Sequence, residues 1–390
     1  MAGRNKFELA NVVRRFGKQL MQQDKLLPNQ IKALHNIVQC RTASMGGHEE
    51  VCDTCGATRY SYNSCGDRHC PKCQLTRQAI WVEDLVAATL PVRHYHIIFT
   101  VPHQLNSICL WNNKLYYKLL FDAVWHTLRS FGHTHYGVET GAVAILHSWG
   151  QNLSLHPHIH CLVPAAGYAF NGQWKLIGKN NKYLYPITQL SHAFKGKFLD
   201  SLKRKLNKEG VYKGFSGTFQ KATQIPWVVH CEPSMAGAHH VMYYLGQYTH
   251  RVAISNHRII SITATHVTFI AKDYRDNARK KPVTLPGVEF LRRFCLHVVP
   301  QRFVRIRRYG IYNHTIIRNL DLQFVPEAQK AAKKLERRIE TKQERIVRLI
   351  GFDPCKCPSC KKGNMVRISI IPRIRSPACH LPSLLKNRLF

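Results

Sequence analysis

Three groups of side chains in this 390-residue chain have types and spacings suited to chemistry. The first is the run Leu155-His156-Pro157-His158-Ile159-His160-Cys161-Leu162-Val163. Side chains on a strand alternate between faces, so His158 and His160 share one face while Ile159 turns to the other. Two neutral imidazoles on one rigid face make a natural pair of ligands for a divalent ion. Taken alone the alternation is weak, because surface or core histidines are commoner than ligands. The second group is Tyr244-Leu245-Gly246-Gln247-Tyr248. On a helix, residues four apart share a face about 6 Å apart along the axis, so both phenols can address one phosphate in turn. Tyrosines at this spacing are also ordinary core packing, and Tyr243 is a further phenol beside them.

Cysteine supplies the third group. Eight potential ligands, Cys40, His48, Cys52, Cys55, Cys65, His69, Cys70 and Cys73, fall within 34 positions. The two C-x-x-C pairs, Cys52/Cys55 and Cys70/Cys73, are 14 residues apart, close to the spacing of a zinc ribbon, and four thiolates complete a tetrahedral structural site. Cys40, His48, Cys65 and His69 are then the expected ligands of a second, interleaved zinc. Cys355, Cys357 and Cys360 repeat the theme near the C-terminus without an obvious fourth ligand, Cys379 and His380 being the candidates.

Composition narrows the setting. There are 57 Lys and Arg against 22 Asp and Glu, a formal charge of +35, and such an excess calls for a polyanion, DNA or RNA first. A generally basic, ribosome-like protein is the plainer reading of charge alone. Hydrophobic residues make up 45%, enough for ordinary cores. No run approaches the roughly 20 apolar residues of a membrane span, and residues 1–20 lack a signal-peptide pattern. The expected location is cytoplasmic and reducing, where clustered cysteines bind metal rather than form disulfides. No G-x-x-x-x-G-K-[ST] phosphate loop occurs.

The elements that must position these groups follow from periodicity. Phe7 to Val38 has a helical pattern broken near Pro28; Cys40 to Cys73 reads as metal-held loops; Thr76 to Leu90 is helical. An α/β stretch follows, with strands expected over Arg93–Val101, Gly141–His147 and Ser154–Pro164, helices over Leu115–Phe131, Phe194–Leu206 and Ala236–His250, and a hairpin arm over Gly172–Ile177. Val252 to Phe269 suggests two strands turning at Ser255 and Asn256, and Pro326 to Leu349 a charged helix. The expected fold is α+β. A helical segment (1–38) and a zinc-binding module (39–78) precede a central antiparallel-sheet domain with flanking helices (79–275). A basic region (276–350) and a Cys-containing tail (351–390) complete the chain.

These residues together resemble a known family: the zinc-binding, two-tyrosine transposases of the insertion-sequence ninety-one type, within the H-hydrophobe-H superfamily of single-strand DNA endonucleases. Four stretches carry the resemblance, Cys40–Gln74, His147–Val163, Tyr244–Arg258 and Phe294–Gly310. It implies that Tyr244 and Tyr248 are nucleophiles and that His158 and His160 hold a catalytic Mg or Mn ion. In the wider superfamily a polar residue seven positions before the first motif histidine often completes the metal site, and here that position is Gln151. A neutral amide there makes a weaker magnesium or manganese site than a carboxylate, and a sheet-end hydrogen-bonding role is an equal reading.

The chemistry so implied is nicking and rejoining of single strands, at the ends of a mobile element and at its target, through a 5′-phosphotyrosine. A phenol has a pKa near 10 and needs help to attack at neutral pH. Holding the phosphodiester in a covalent link would let strands be rejoined without ATP. His250, Arg251, Asn256 and Arg258, with the denser Arg302, Arg305, Arg307 and Arg308, are the expected backbone-gripping residues, while Phe303 and Tyr309 suit base stacking or plain packing. A plasmid relaxase or rolling-circle replication initiator shares the histidine and tyrosine chemistry but lacks this cysteine pattern. A zinc-dependent nucleic-acid-binding protein without catalysis would need neither pair. With this charge, affinity for single-stranded oligonucleotides should fall steeply between about 50 and 200 mM salt, as Lys and Arg contacts release condensed counterions. A flat response in a fluorescence-anisotropy titration would contradict the electrostatic account.

Overall fold

The structure is a computed structural model describing residues 7–87, 89–90, 92–178, 184–232, 253–273, 276–313 and 340–374. In chain order its described elements are α1 (Leu9–Gln23), α2 (Pro28–Gln39), β1 (Gly47–Cys52), β2 (Thr58–Tyr62), α3 (Gln74–Ala87), β3 (His94–Thr100), α4 (Asn106–Trp111), α5 (Asn113–Phe131), β4 (Val138–Glu139), β5 (Gly141–Trp149), β6 (Leu155–Pro164), β7 (Ala166–Ala169), β8 (Trp174–Leu176), α6 (Ile187–Lys208), α7 (Tyr212–Gln224), β9 (Val228–Glu232), β10 (Ile259–Ile262), β11 (His266–Asp273), β12 (Arg279–Pro286), α8 (Gly287–Leu296), β13 (Ile306–Gly310), α9 (Lys342–Ile350) and β14 (Met365–Ile371).

A five-stranded antiparallel sheet, ordered β13-β5-β6-β3-β9, forms the centre. One face carries Ile97, Phe99, Ile159, Cys161, Val163 and Val229 into a large core. Covering that face are α5, which buries Tyr116, Tyr117, Leu120, Val124 and Leu128, and α6, which buries Phe194, Phe198, Leu202 and Leu206. These positions recur at three and four residues, the stripe a helix needs to lie flat on a sheet. α5 begins where the Asn112 side chain accepts from the amide of Leu115 at 3.0 Å, satisfying one of the amide hydrogens left unpaired at a helix start.

A second core joins the N-terminus to the basic region. α1 presents Leu9, Val12, Val13, Phe16 and Leu20 to α2 and α8, and the same cluster includes Phe269, Phe290 and Phe294. Pro28 occupies the first turn of α2, where its missing amide hydrogen costs nothing, so it starts that helix.

Three differences from the sequence expectations have simple causes. The Cys40–Cys73 stretch contains the hairpin β1–β2 beside its loops, and β14 pairs with the other edge of β1, drawing the C-terminal segment onto the N-terminal module. The turn expected at Ser255 and Asn256 is instead a short 3-10 segment, Asn256–Arg258; the chain reverses at 263–265, where Thr263 Oγ1 accepts from the amide of His266 at 3.0 Å. α7 was not legible, because its mixed Gly, Ser, Thr and Lys content hides the buried pair Phe219 and Ala222.

Gly310 ends β13 at φ +56°, and a Cβ there would lie 1.9 Å from the Thr140 carbonyl oxygen. Gly310→Ala should therefore cost about 3 kcal/mol, combining left-handed backbone strain with overpacking against an immovable main chain. The expected outcome is a clear drop in Tm by calorimetry; an unchanged Tm would show that β13 does not lock against β5.

Candidate active site and cysteine clusters

The other face of the central sheet is polar at one end of the β5–β6 pair, beside the buried Val143, Ile145 and Leu162. In the antiparallel register His147 stands opposite His158, and Ile145 opposite His160. Because side chains alternate, His147, His158 and His160 fall on this face, and one ring nitrogen from each lies within 4.8 Å of the others. Ring centroids are 4.5 Å apart for His147–His160, 4.9 Å for His158–His160 and 5.4 Å for His147–His158. His147 stacks on Trp149 at 4.7 Å, which fixes its plane.

Hydrogen bonds set the tautomers. His158 Nδ1 lies 2.7 Å from the carbonyl oxygen of His156, which can only accept, so Nδ1 carries the proton and Nε2 the lone pair. Burial, and then the neighbouring His156, push the His158 pKa down to about 4, keeping the ring neutral. His160 is held by a longer chain. Glu232 Oε2 lies 2.8 Å from His96 Nδ1, and His96 Nε2 lies 2.8 Å from His160 Nδ1, with the two rings stacked 5.1 Å apart. When neutral His96 donates from Nδ1 to Glu232, its Nε2 accepts the Nδ1 proton of His160, and His160 Nε2 is left with the lone pair. The bond to His96, despite opposing burial, holds the Glu232 carboxyl below its usual range. Carbonyl or carboxylate partners behind imidazole ligands are the common support of a metal site. The donor set therefore fits a divalent ion, with three imidazole nitrogens converging from one rigid sheet.

Sequence reasoning found His158 and His160 but missed His147, whose signal was its place in the strand before the motif. Gln151, expected as the third ligand, sits in the turn after β5, where its carbonyl oxygen accepts from the Arg258 guanidinium. His96 and Glu232 were also missed; only the pairing of β3 with β6 and β9 brings them near. Tyr244, Tyr248, His250 and Arg251 lie outside the described residues.

The cysteines regroup. Cys40, Cys65, Cys70 and Cys73 have their sulfur atoms mutually within 4.8 Å, with 3.4 Å for Cys40–Cys73 and 3.6 Å for Cys65–Cys73. A tetrahedron with Zn–S bonds of about 2.3 Å has edges of about 3.8 Å, while a disulfide would be about 2.05 Å, so these spacings suit a shared ion. The expected set of Cys52, Cys55, Cys70 and Cys73 is thus not brought together: Cys52 and Cys55 lie beside Cys357 and Cys360. Neither expected histidine joins a cluster. His69 bonds Asp67 Oδ1 through Nδ1 at 2.9 Å and accepts the Val299 amide at Nε2, so both nitrogens are used. His48 Nε2 pairs with Glu50 at 3.0 Å.

The arginines divide similarly. Arg258 donates to the Ile270 carbonyl at 2.7 Å and packs over Phe269, and Asn256 accepts the Leu9 amide at 3.0 Å, so both knit the fold together. Arg305 lies over Trp149 and Arg307 over Phe121 at 4.1 Å. Arg302 and Arg308 are the exposed pair of that patch. Phe303 is buried, and Tyr309 stacks on Trp125, so these rings pack.

Comparison with known proteins bears on this architecture. Residues 12–101 match a family described as "Transposase zinc-binding domain", and residues 141–319 one described as "Putative transposase". A protein of Sinorhizobium fredii (strain NBRC 101917 / NGR234), "Putative transposase y4qJ", is 38% identical over 395 residues, covering 95% of this chain and 97% of the relative. "Transposase for insertion sequence element IS801", from Pseudomonas savastanoi pv. phaseolicola, is 24% identical over 338 residues, covering 80% of this chain and 77% of the relative. No solved structure matches. The two family matches and the relative covered over 97% of its length define a transposase. The chain belongs to the zinc-binding transposases of the insertion-sequence ninety-one type. The zinc-binding domain together with the cysteine clusters suggests structural zinc. Among the described residues no helix is long and apolar enough to cross a membrane.

Loss of the supporting bond should be measurable without any DNA. Glu232→Gln should weaken Mn(II) binding about 10- to 100-fold, as expected for a ligand's hydrogen-bonding support, and His147→Ala at least as much. Titration followed by electron paramagnetic resonance reads both; unchanged affinity in either would remove that residue from the site.

Proposed function

We propose that this transposase cuts and rejoins single-stranded DNA with a tyrosine nucleophile beside a divalent ion held by His147, His158 and His160. The observation that carries this reading is the three-imidazole face on β5 and β6, with the tautomers of His158 and His160 set from behind. His147, His158 and His160 would hold magnesium or manganese, which would supply positive charge against the charge developing on the scissile phosphate.

The chain's own residues do the rest. A phenolate oxygen of Tyr244 or Tyr248 attacks phosphorus, and the bond from phosphorus to the 3′ oxygen breaks. That oxygen takes a proton and leaves as a 3′-hydroxyl, while the 5′ phosphate stays on the tyrosine. Rejoining is the reverse attack by a 3′-hydroxyl on the phosphotyrosine, conserving the number of phosphodiester bonds without ATP. Two tyrosines permit one to hold the donor strand while the other opens the target. Arg302 and Arg308, exposed near the sheet edge, would grip the DNA backbone. The four-thiolate cluster at Cys40 anchors the module that packs on α1, α2 and α8.

Incubation with a 5′- and 3′-labelled single strand spanning the element's end tests this. The wild type should yield a free 3′-hydroxyl fragment and a 5′-linked protein adduct in magnesium or manganese. His158→Ala and His160→Ala should reduce cleavage more than about 100-fold with DNA binding retained. Tyr244→Phe with Tyr248→Phe should abolish the adduct, whereas either change alone should block strand exchange before it blocks nicking. Full cleavage by the double variant would place the nucleophile elsewhere, first at Tyr243.

A further inference from the structure

We propose that Cys52, Cys55, Cys357 and Cys360 form a second thiolate metal site, which fastens the C-terminal segment to the N-terminal module. All four sulfur atoms lie within 4.8 Å of one another, with Cys52 to Cys360 and Cys55 to Cys357 each 3.7 Å apart. That spacing matches the edge of about 3.8 Å expected around an ion with metal–sulfur bonds of about 2.3 Å, and is far beyond a disulfide's roughly 2.05 Å.

Both halves are built as turns that hold thiolates. The amides of Thr54 and Cys55 point to Cys52 Sγ at 3.5 Å, and the amide of Gly363 points to Cys360 Sγ at 3.3 Å. Gly363 is required for the approach, because a Cβ there would stand 2.5 Å from Cys52 Sγ and 2.5 Å from Asp53 Oδ1. The turns are also stitched together: Asp53 donates its amide to the Asn364 carbonyl at 3.1 Å, and its carboxylate accepts the Asn364 amide at 2.9 Å. Beyond them β1 and β14 run antiparallel from Cys52↔Met365 to Gly47↔Ile371.

Apolar burial cannot hold this junction. Among the described residues its buried cluster comprises Cys52, Cys357 and Met365, with Ala57 and Cys360 packed against it. Ion binding would add folding energy that so small a core lacks. Four thiolates with no carboxylate or imidazole select a soft, tetrahedral ion, zinc foremost. Cys355 is not a member: its sulfur receives the Gln343 side-chain amide at 2.8 Å. Further along, Arg345 pairs with Glu83 and Asp84, and Arg348 with Glu83, binding α9 to α3. The zinc-binding module is thus completed from both ends of the chain, and its second ion depends on residues some 300 positions from the first pair.

Cadmium-113 exchanged into the full-length protein should give two resonances in the all-sulfur range, since the histidine cluster contributes none there. One all-sulfur resonance would overturn the proposal. Cys357→Ser with Cys360→Ser should remove one resonance and leave the other, and Cys355→Ser should leave both. If the double variant fails to fold, alkylation mapped by mass spectrometry on the unaltered protein still decides. Cys52, Cys55, Cys357 and Cys360 should be protected as a set and become reactive together on chelation. Rapid labelling of Cys357 and Cys360 while Cys52 and Cys55 stay protected would contradict the site.

Discussion

The register between β5 and β6 is the constraint on which the candidate active site depends. With His147 opposite His158, the three imidazoles share a face and Ile159, Cys161 and Leu146 share the other. A slip of one residue would put the histidines into the core under α5 and α6 and the apolar residues into the site. Such a state is strongly disfavoured, because it buries polar rings without partners and exposes several large apolar side chains at once. The hydrophobic packing of one face therefore fixes the geometry of the other. Nothing in the imidazole cluster has to supply that energy itself.

The same sheet carries the support behind the ligands. β3 lies between β6 and β9, which puts His96 between His160 and Glu232. Glu232 ends β9, so the carboxylate that orients His160 stands at the entrance to the segment holding Tyr244 and Tyr248. A shift of this strand end would alter the hydrogen bond to His96, and through it the ring plane of His160. The cysteine clusters work on another principle. Cys40, Cys70 and Cys73 border the core of α1, α2 and α8, whereas Cys52 and Cys357 lie at turns with little apolar burial of their own.

Much of this was legible in the residues. The alternation at His158 and His160, the strands over 93–101 and 154–164, and the helix over 115–131 all follow from periodicity, since core positions repeat at two or at three to four residues. The C-x-x-C spacing singles out Cys52/Cys55 and Cys70/Cys73, and each pair lies within a group of four cysteines. What spacing does not carry is which halves meet. Cys52/Cys55 pairs with Cys357/Cys360 because β14 adds to β1, a contact between segments about 300 residues apart. His69 resembles a ligand in sequence yet is consumed by Asp67 and the Val299 amide. His96 and Glu232 have no motif of their own; each becomes visible only through strand pairing. Arg258 and Arg307 look like phosphate grips by charge, but an arginine stem and guanidinium serve equally well as packing over Phe269 and Phe121.

The proposed chemistry turns on His147, His158 and His160 jointly binding one divalent ion. Pulsed electron paramagnetic resonance on the full-length protein loaded with one equivalent of Mn(II) counts the nitrogens coupled to the metal. Three imidazole nitrogens are predicted for the wild type, falling to two in His147→Ala. A spectrum with two nitrogens in the wild type, unchanged in His147→Ala, would contradict the three-histidine site.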